Sequence, residues 1–215
     1  MIVLDESKLN HIRTLIESLN EVEYIMPEDI PNIDLYMDQL TTFMDEHLKS
    51  SKRYQDDKLL TKTMINNYTK NKLLPPPKKK KYSKEHMFLL IYIYYFKNIL
   101  SISDIQRIFT PLTQKFYGPN SDYKLEDIYK EVVLLQEEQT NNLAKDMIRK
   151  MNRAEEAFKD VEDFNDKEFL SLFTFVCTLC FDVYIRKHMV EKIIDIFAKG
   201  SNSDKDKKDK DKVAK

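Results

Sequence analysis

The chain has 215 residues, 42% of them hydrophobic, which is enough for one ordinary domain with an appendage or for two small ones. Its two glycines, Gly118 and Gly200, are too few for a P-loop or a dinucleotide-binding loop, and they argue against hairpins with primed turns. The formal net charge of −1 conceals an asymmetry: residues 52–84 carry eleven Lys/Arg against two acids, net +9, while residues 1–51 carry eleven acids against three bases, net −8.

In chain order, residues 6–20 place Leu9, Ile12, Ile16 and Leu19 on one face of an amphipathic helix. Pro27 and Pro31 bracket a connection, and Asn32 is positioned to cap a helix over 33–49. There Ile33, Tyr36, Met37, Leu40, Phe43, Met44 and Leu48 keep the helical rhythm. Residues 50–58 form a polar loop. Thr61 is a suitable N-cap for a helix over 62–72, whose inward stripe is Met64, Ile65 and Tyr68. That helix must stop near Leu74, because a residue before proline is pushed out of the α region. Pro75–Pro77 form a stiff extended piece ahead of four consecutive lysines.

Ser83 caps the next helix, over 84–98, and its run MFLLIYIYYF marks it as the centre of a core. Ser101 and Asp104 have capping-box spacing for a short helix over 102–109, and Pro111 and the turn at 118–122 close this module. Two long helices follow, over 124–158 and 166–198, the first polar all round at 136–142. Asn165 and Glu168 open the second, and Gly200 is placed to end it. Residues 201–215 form a low-complexity charged tail expected to be disordered. The apolar runs at 88–96 and 169–181 are shorter than the roughly 20 residues a membrane span needs, so both read as buried core helices.

The chemistry-bearing candidates concentrate in the basic segment. On the helix over 62–72, Lys62, Thr63, Asn66, Asn67 and Lys70 group opposite the apolar stripe. Asparagine can contact adenine through two hydrogen bonds, and threonine can bond a base or touch a thymine methyl. Thr63, Asn66 and Asn67 are therefore expected to contact bases. Lys62, Lys70, Lys78, Lys79, Lys80 and Lys81 are expected to contact phosphates, which position a protein on DNA without reading sequence. A helical protein–protein adaptor docking an acidic partner through the same basic loop is the alternative.

Elsewhere the signals favour structure over chemistry. Cys177 and Cys180 form a lone C-x-x-C inside an apolar run, where core packing is expected. The four histidines are scattered, with no metal-binding helical spacing, and no G-x-S-x-G occurs. No catalytic residue, cofactor or metal is expected. The acidic N-terminus lacks a secretory pattern, and two cysteines fit a reducing cytoplasm.

The segment LTKTMINNYTKNKLLPPPKKKKYSKEHMFLLIYIYYFKNILSISDIQRI resembles the start of MerR-type regulators. Those have a recognition helix ending in paired tyrosines, a "GLL-P" stop, a wing ending in "Y-S", then a helix and a short "s-l-e-e-I" turn. The matching positions are Ile65, Tyr68, Leu73, Leu74, Pro75, Tyr82, Ser83, Ile102 and Ile105. With the preceding PNIDLYMDQLTTFMDEHL, the segment also resembles an uncharacterised bacterial family of suspected transcription regulators. Three departures stand out: the 50–58 loop is long, Asn66 replaces an arginine common in the MerR recognition helix, and the wing is clipped.

The expectation is an all-α protein with an N-terminal helix and linker over 1–29. A winged-helix-like helix-turn-helix module with a reduced wing follows over 30–112. A C-terminal helical hairpin over 120–200 serves dimerisation or effector binding, and a disordered tail covers 201–215. The resemblance implies a dimeric, sequence-specific regulator of double-stranded DNA. No membrane association is expected, and the small-molecule effector is unknown.

Overall fold

A computed structural model of the chain describes residues 8–21, 24–118, 121 and 123–213; the side chains of 20, 21, 141 and 198–213 fall outside that description. The start of the helix expected from residue 6, part of the turn at 118–122 and the last two tail residues also lie outside it. Among the described residues the protein is mostly helical, with two short strands. It divides into two units, one of Met1–Tyr24 with Glu131–Arg186 and one of Ile25–Lys130 with Lys187–Lys215.

The unit built on Ile25–Lys130 starts with a correction. The apolar rhythm expected to begin a helix at residue 33 instead begins with a strand, β1 (Leu35–Tyr36), and the helix α2 covers Met37–Leu48. β1 pairs antiparallel with β2 (Lys81–Tyr82), Leu35 opposite Tyr82 and Tyr36 opposite Lys81. The chain before the helix is drawn straight by a partner more than forty residues away, which local periodicity does not report. Asn32 is not the cap; the Tyr36 N–H donates to the Gln39 side-chain oxygen at 2.9 Å.

The 50–58 loop is a set of local turns, with the Arg53 and Tyr54 N–H groups donating to Asp57 Oδ2 at 3.1 and 3.0 Å. Buried Leu59 and Leu60 anchor its end, and Lys97 Nζ holds the Leu59 carbonyl at 2.7 Å. Then α3 covers Lys62–Lys70, shorter at its C-terminus than expected, with Thr61 capping it through its side-chain oxygen and the Met64 N–H at 3.2 Å.

The helix α4 (Lys84–Phe96) buries every residue from His86 to Tyr94. Around it Phe88 lies 4.6 Å and Tyr92 5.4 Å from the Tyr129 ring, centroid to centroid, and the Tyr129 hydroxyl donates to the Ile25 carbonyl at 2.8 Å. Rings of this size each bury roughly 150–250 Å², so this cluster dominates the core of the unit. Next, α5 spans Ile102–Phe116, longer than the expected 102–109, with Pro111 inside it. Ser101 caps it as expected, accepting from the Asp104 N–H at 3.1 Å. Burial of Ile105 and Phe109 fixes the helix through the position where proline removes one backbone bond.

In the other unit, α1 (Lys8–Glu17) ends in a short 3₁₀ turn, and of the helix α6 (Leu125–Ala157) the part from Glu131 on belongs here, its polar stretch 136–139 exposed. Ile16, Ala144, Met151, Ala154 and Phe175 form the core, with Leu9, Ile12, Met147 and Leu179 packed against it. Arg13 pairs with Glu155 at 2.6 Å, and Lys150 joins Asp146 to Asp182.

The last helix, α7 (Phe164–Val213), departs most from expectation. Asp163, not Asn165, caps it, accepting from the Asp166 N–H at 2.9 Å, and Glu168 instead receives the Lys8 backbone N–H at 2.8 Å. Gly200 does not end it, and the backbone is helical through residue 213. The 169–181 run is not plain core: Phe169, Phe173, Val176 and Phe181 are exposed, as is Cys180, with Cys177 half-buried. By length and composition Phe164–Phe197 is apolar enough to cross a membrane, although the shorter 169–181 run read as too short.

Candidate nucleic-acid interface

α3 sorts its residues by face. Ile65 and Tyr68 are buried, while Lys62, Thr63, Asn66, Asn67 and Lys70 are exposed. At about 100° per residue the five exposed positions fall within one arc of roughly 140°. The sequence-derived base-contact set (Thr63, Asn66, Asn67) therefore shares one surface with two of the expected phosphate contacts. No acid occurs anywhere in residues 58–84, so this face carries no negative charge of its own.

The helix ends in two nested backbone bonds. The Leu73 N–H donates to the Tyr68 carbonyl at 2.8 Å, and the Lys72 N–H donates to the Thr69 carbonyl at 3.1 Å. This is the Schellman arrangement, which needs a left-handed residue after the cap, usually glycine. Here that residue is Lys72, with φ of 59°. Buried Leu73 and Leu74 then pin the stop.

The lysine run is also a turn. Lys78 and Lys81 exchange backbone hydrogen bonds at 3.1 and 3.0 Å, closing a two-residue loop of Lys79 and Lys80. Both have positive φ, 51° and 64°, as a primed hairpin turn requires. Scarcity of glycine therefore did not prevent a primed turn; two lysines adopt it. Each left-handed non-glycine residue costs roughly 1–2 kcal/mol, so the turn is held by its surroundings. β2 pairs with β1 on one side, and the Lys81 ammonium lies 5.0 Å from the centre of the Tyr36 ring.

The basic residues differ in availability. Lys62 is ion-paired with Asp38 of α2, both exposed. Lys81 is half-buried against Tyr36. Lys70, Lys72, Lys78, Lys79 and Lys80 are exposed and take part in no ion pair among the described residues. Lys72 was absent from the sequence-derived set because its backbone conformation, not its spacing, marks it.

His86 braces the join between this segment and α4. Its Nδ1 accepts from the Ser83 N–H at 3.0 Å, and the Tyr117 hydroxyl lies 3.0 Å from Nδ1. Burial holds the imidazole below its ordinary range, against opposing pulls from the Pro75 and Pro76 backbone and Asp34. Burial also pushes the Tyr117 hydroxyl up to about 12. Nearby, a cavity of about 300 Å³ is lined by Asp34, Ser83, Lys84, Glu85 and Glu126 among others. There Lys84 pairs with Glu126 at 2.7 Å, and Glu85 accepts the Gly118 N–H at 2.8 Å.

Residues 25–132 match a family model described as a domain of unknown function (DUF1836). The chain belongs to this family. The matched span contains α3, the lysine turn and α4, and it nearly coincides with the Ile25–Lys130 body. No curated protein and no solved structure matches the chain.

Proposed function

We propose that the chain is a cytoplasmic transcription regulator that binds double-stranded DNA as a dimer, with α3 as its recognition helix and the Lys78–Lys81 turn as a reduced wing. The carrying observation is the exposed face of α3, free of acids of its own, where Thr63, Asn66 and Asn67 lie together, followed by Lys70, Lys72 and Lys78–Lys80, which take part in no ion pair among the described residues. Asparagine and threonine are base-reading side chains in the major groove, and lysines at the edge supply phosphate contacts. The strand pair β1–β2 ties the start of α2 to the base of the turn, an arrangement suited to a winged helix-turn-helix of the MerR type.

Dimerisation is supported by α7. Phe169, Phe173, Val176, Cys180 and Val183 are exposed and spaced by four, three, four and three residues. That is the a/d pattern of a coiled-coil seam, which a second copy of the same helix satisfies. Two-fold proteins match palindromic operators.

Duplex binding measured by fluorescence anisotropy across a salt series tests the reading. A log–log slope near −0.9 per phosphate contact is expected, flattened when Lys78–Lys81 become alanine. Absence of duplex binding at low salt, with capture of an acidic polypeptide instead, overturns it in favour of an adaptor.

A further inference from the structure

Non-glycine residues with positive φ number three among the described residues, and all three are lysines of the basic segment: Lys72, Lys79 and Lys80. At each position glycine or asparagine would satisfy the backbone without strain. Lysine supplies none of the backbone requirement. Its side chain must therefore answer some other demand, and these three chains share one property: an exposed ammonium in no ion pair among the described residues.

Two local explanations for Lys72 fall short. A cation at a helix C-terminus gains from the helix dipole, but Lys70 already occupies the last turn of α3. The neighbouring Asn71 carbonyl is covered by Gln106 Nε2 at 3.1 Å, so Lys72 is not needed there. Resting on the DNA-binding reading above, we infer that Lys72 is a phosphate-contacting residue. It stands at the exit of the recognition helix as a backbone anchor beyond the base-reading face, complementing Lys79 and Lys80 at the turn. The ligand group it takes is a phosphodiester of the duplex backbone, so it adds affinity without adding sequence preference.

Lys72→Gly, Lys72→Ala and Lys72→Arg separate this role from a structural one, because strain and charge act in opposite directions. In the full-length chain, Lys72→Gly should raise the melting temperature by relieving the left-handed residue. The same change should weaken binding of the dimer to a labelled duplex about sixtyfold near 0.1 M salt and make the salt slope shallower by about 1.8, the share of two phosphates, one from each protomer. Lys72→Arg should keep both affinity and slope. Lys72→Ala should lose the same affinity as Lys72→Gly without the gain in melting temperature.

If the wild-type chain binds duplex and Lys72→Gly binds equally well with the same slope, the inference is overturned while the DNA-binding reading stands. If the wild-type chain binds no duplex at low salt, the reading falls and takes the inference with it.

Discussion

The backbone N–H of Ser83 donates to Nδ1 of His86 at 3.0 Å, so the ring nitrogen facing the start of α4 carries no proton. A protonated imidazole would place a second hydrogen against that N–H inside a buried site. The native state therefore resists protonation, and burial keeps the ring neutral below its ordinary range. The unfolded chain takes up the proton near pH 6.5. His86 thus costs nothing above about 6.5, and stability falls as pH drops from there toward the lowered native value. Denaturant midpoints should decrease between pH 7.5 and 5.5, and a His86→Gln variant, less stable at neutral pH, should show a smaller decrease. Equal pH dependence in the two proteins would remove His86 as the cause.

Replacing Lys79 and Lys80 with Asn and Gly should stabilise the fold by about 1 kcal/mol, because that pair adopts positive φ with little strain. Chemical denaturation reads the gain. Duplex affinity should fall in the same variant, since two exposed ammonium groups are lost. A variant that is both more stable and undiminished in binding would detach the turn from the proposed interface.

Asn66→Ala and Asn67→Ala touch only exposed positions, so each should change stability by less than about 0.5 kcal/mol. Their effect should appear in discrimination between duplexes, by roughly 1–3 kcal/mol where an asparagine pairs with adenine. Ile65→Ala is the control: Ile65 is fully buried, and its truncation should cost about 2–5 kcal/mol of stability. Selection of genomic fragments by wild type and by the asparagine variants would show whether one motif is enriched and then lost.

The seam on α7 predicts a concentration-dependent dimer in sedimentation. Phe173→Glu or Val176→Glu places a charge where two copies would meet and should yield monomer with helical content unchanged, both residues being exposed. A wild-type chain that sediments as a monomer at all concentrations would refute the seam as a self-association surface.

Much of this was legible in the sequence, for identifiable reasons. The face of α3 follows from helix geometry alone once Ile65 and Tyr68 are recognised as inward. α4 announces itself because nine consecutive residues from His86 to Tyr94 have nowhere to go but inside. β1 was hidden, since Tyr36 belongs to an apolar helical rhythm, and Leu35–Tyr36 become a strand only against Lys81 and Tyr82. The primed turn was hidden too, because residue type argued against left-handed lysines and tertiary pairing overrode it. Hydropathy could not tell that Phe169 and Phe173 face outward: an apolar residue meant for another surface reads the same as one meant for the core.

The pairing of Leu35 with Tyr82 has a consequence for the connection between α2 and α3. Both helices lie inside a loop whose two ends are stitched together by β1 and β2, and each helix carries its own buried anchors, Leu40 and Met44 on one side, Ile65 and Tyr68 on the other. The exposed residues 53–56 between them are therefore not what holds the helices in register. A protease cut within that stretch should leave two fragments that stay associated and migrate as one particle until denatured.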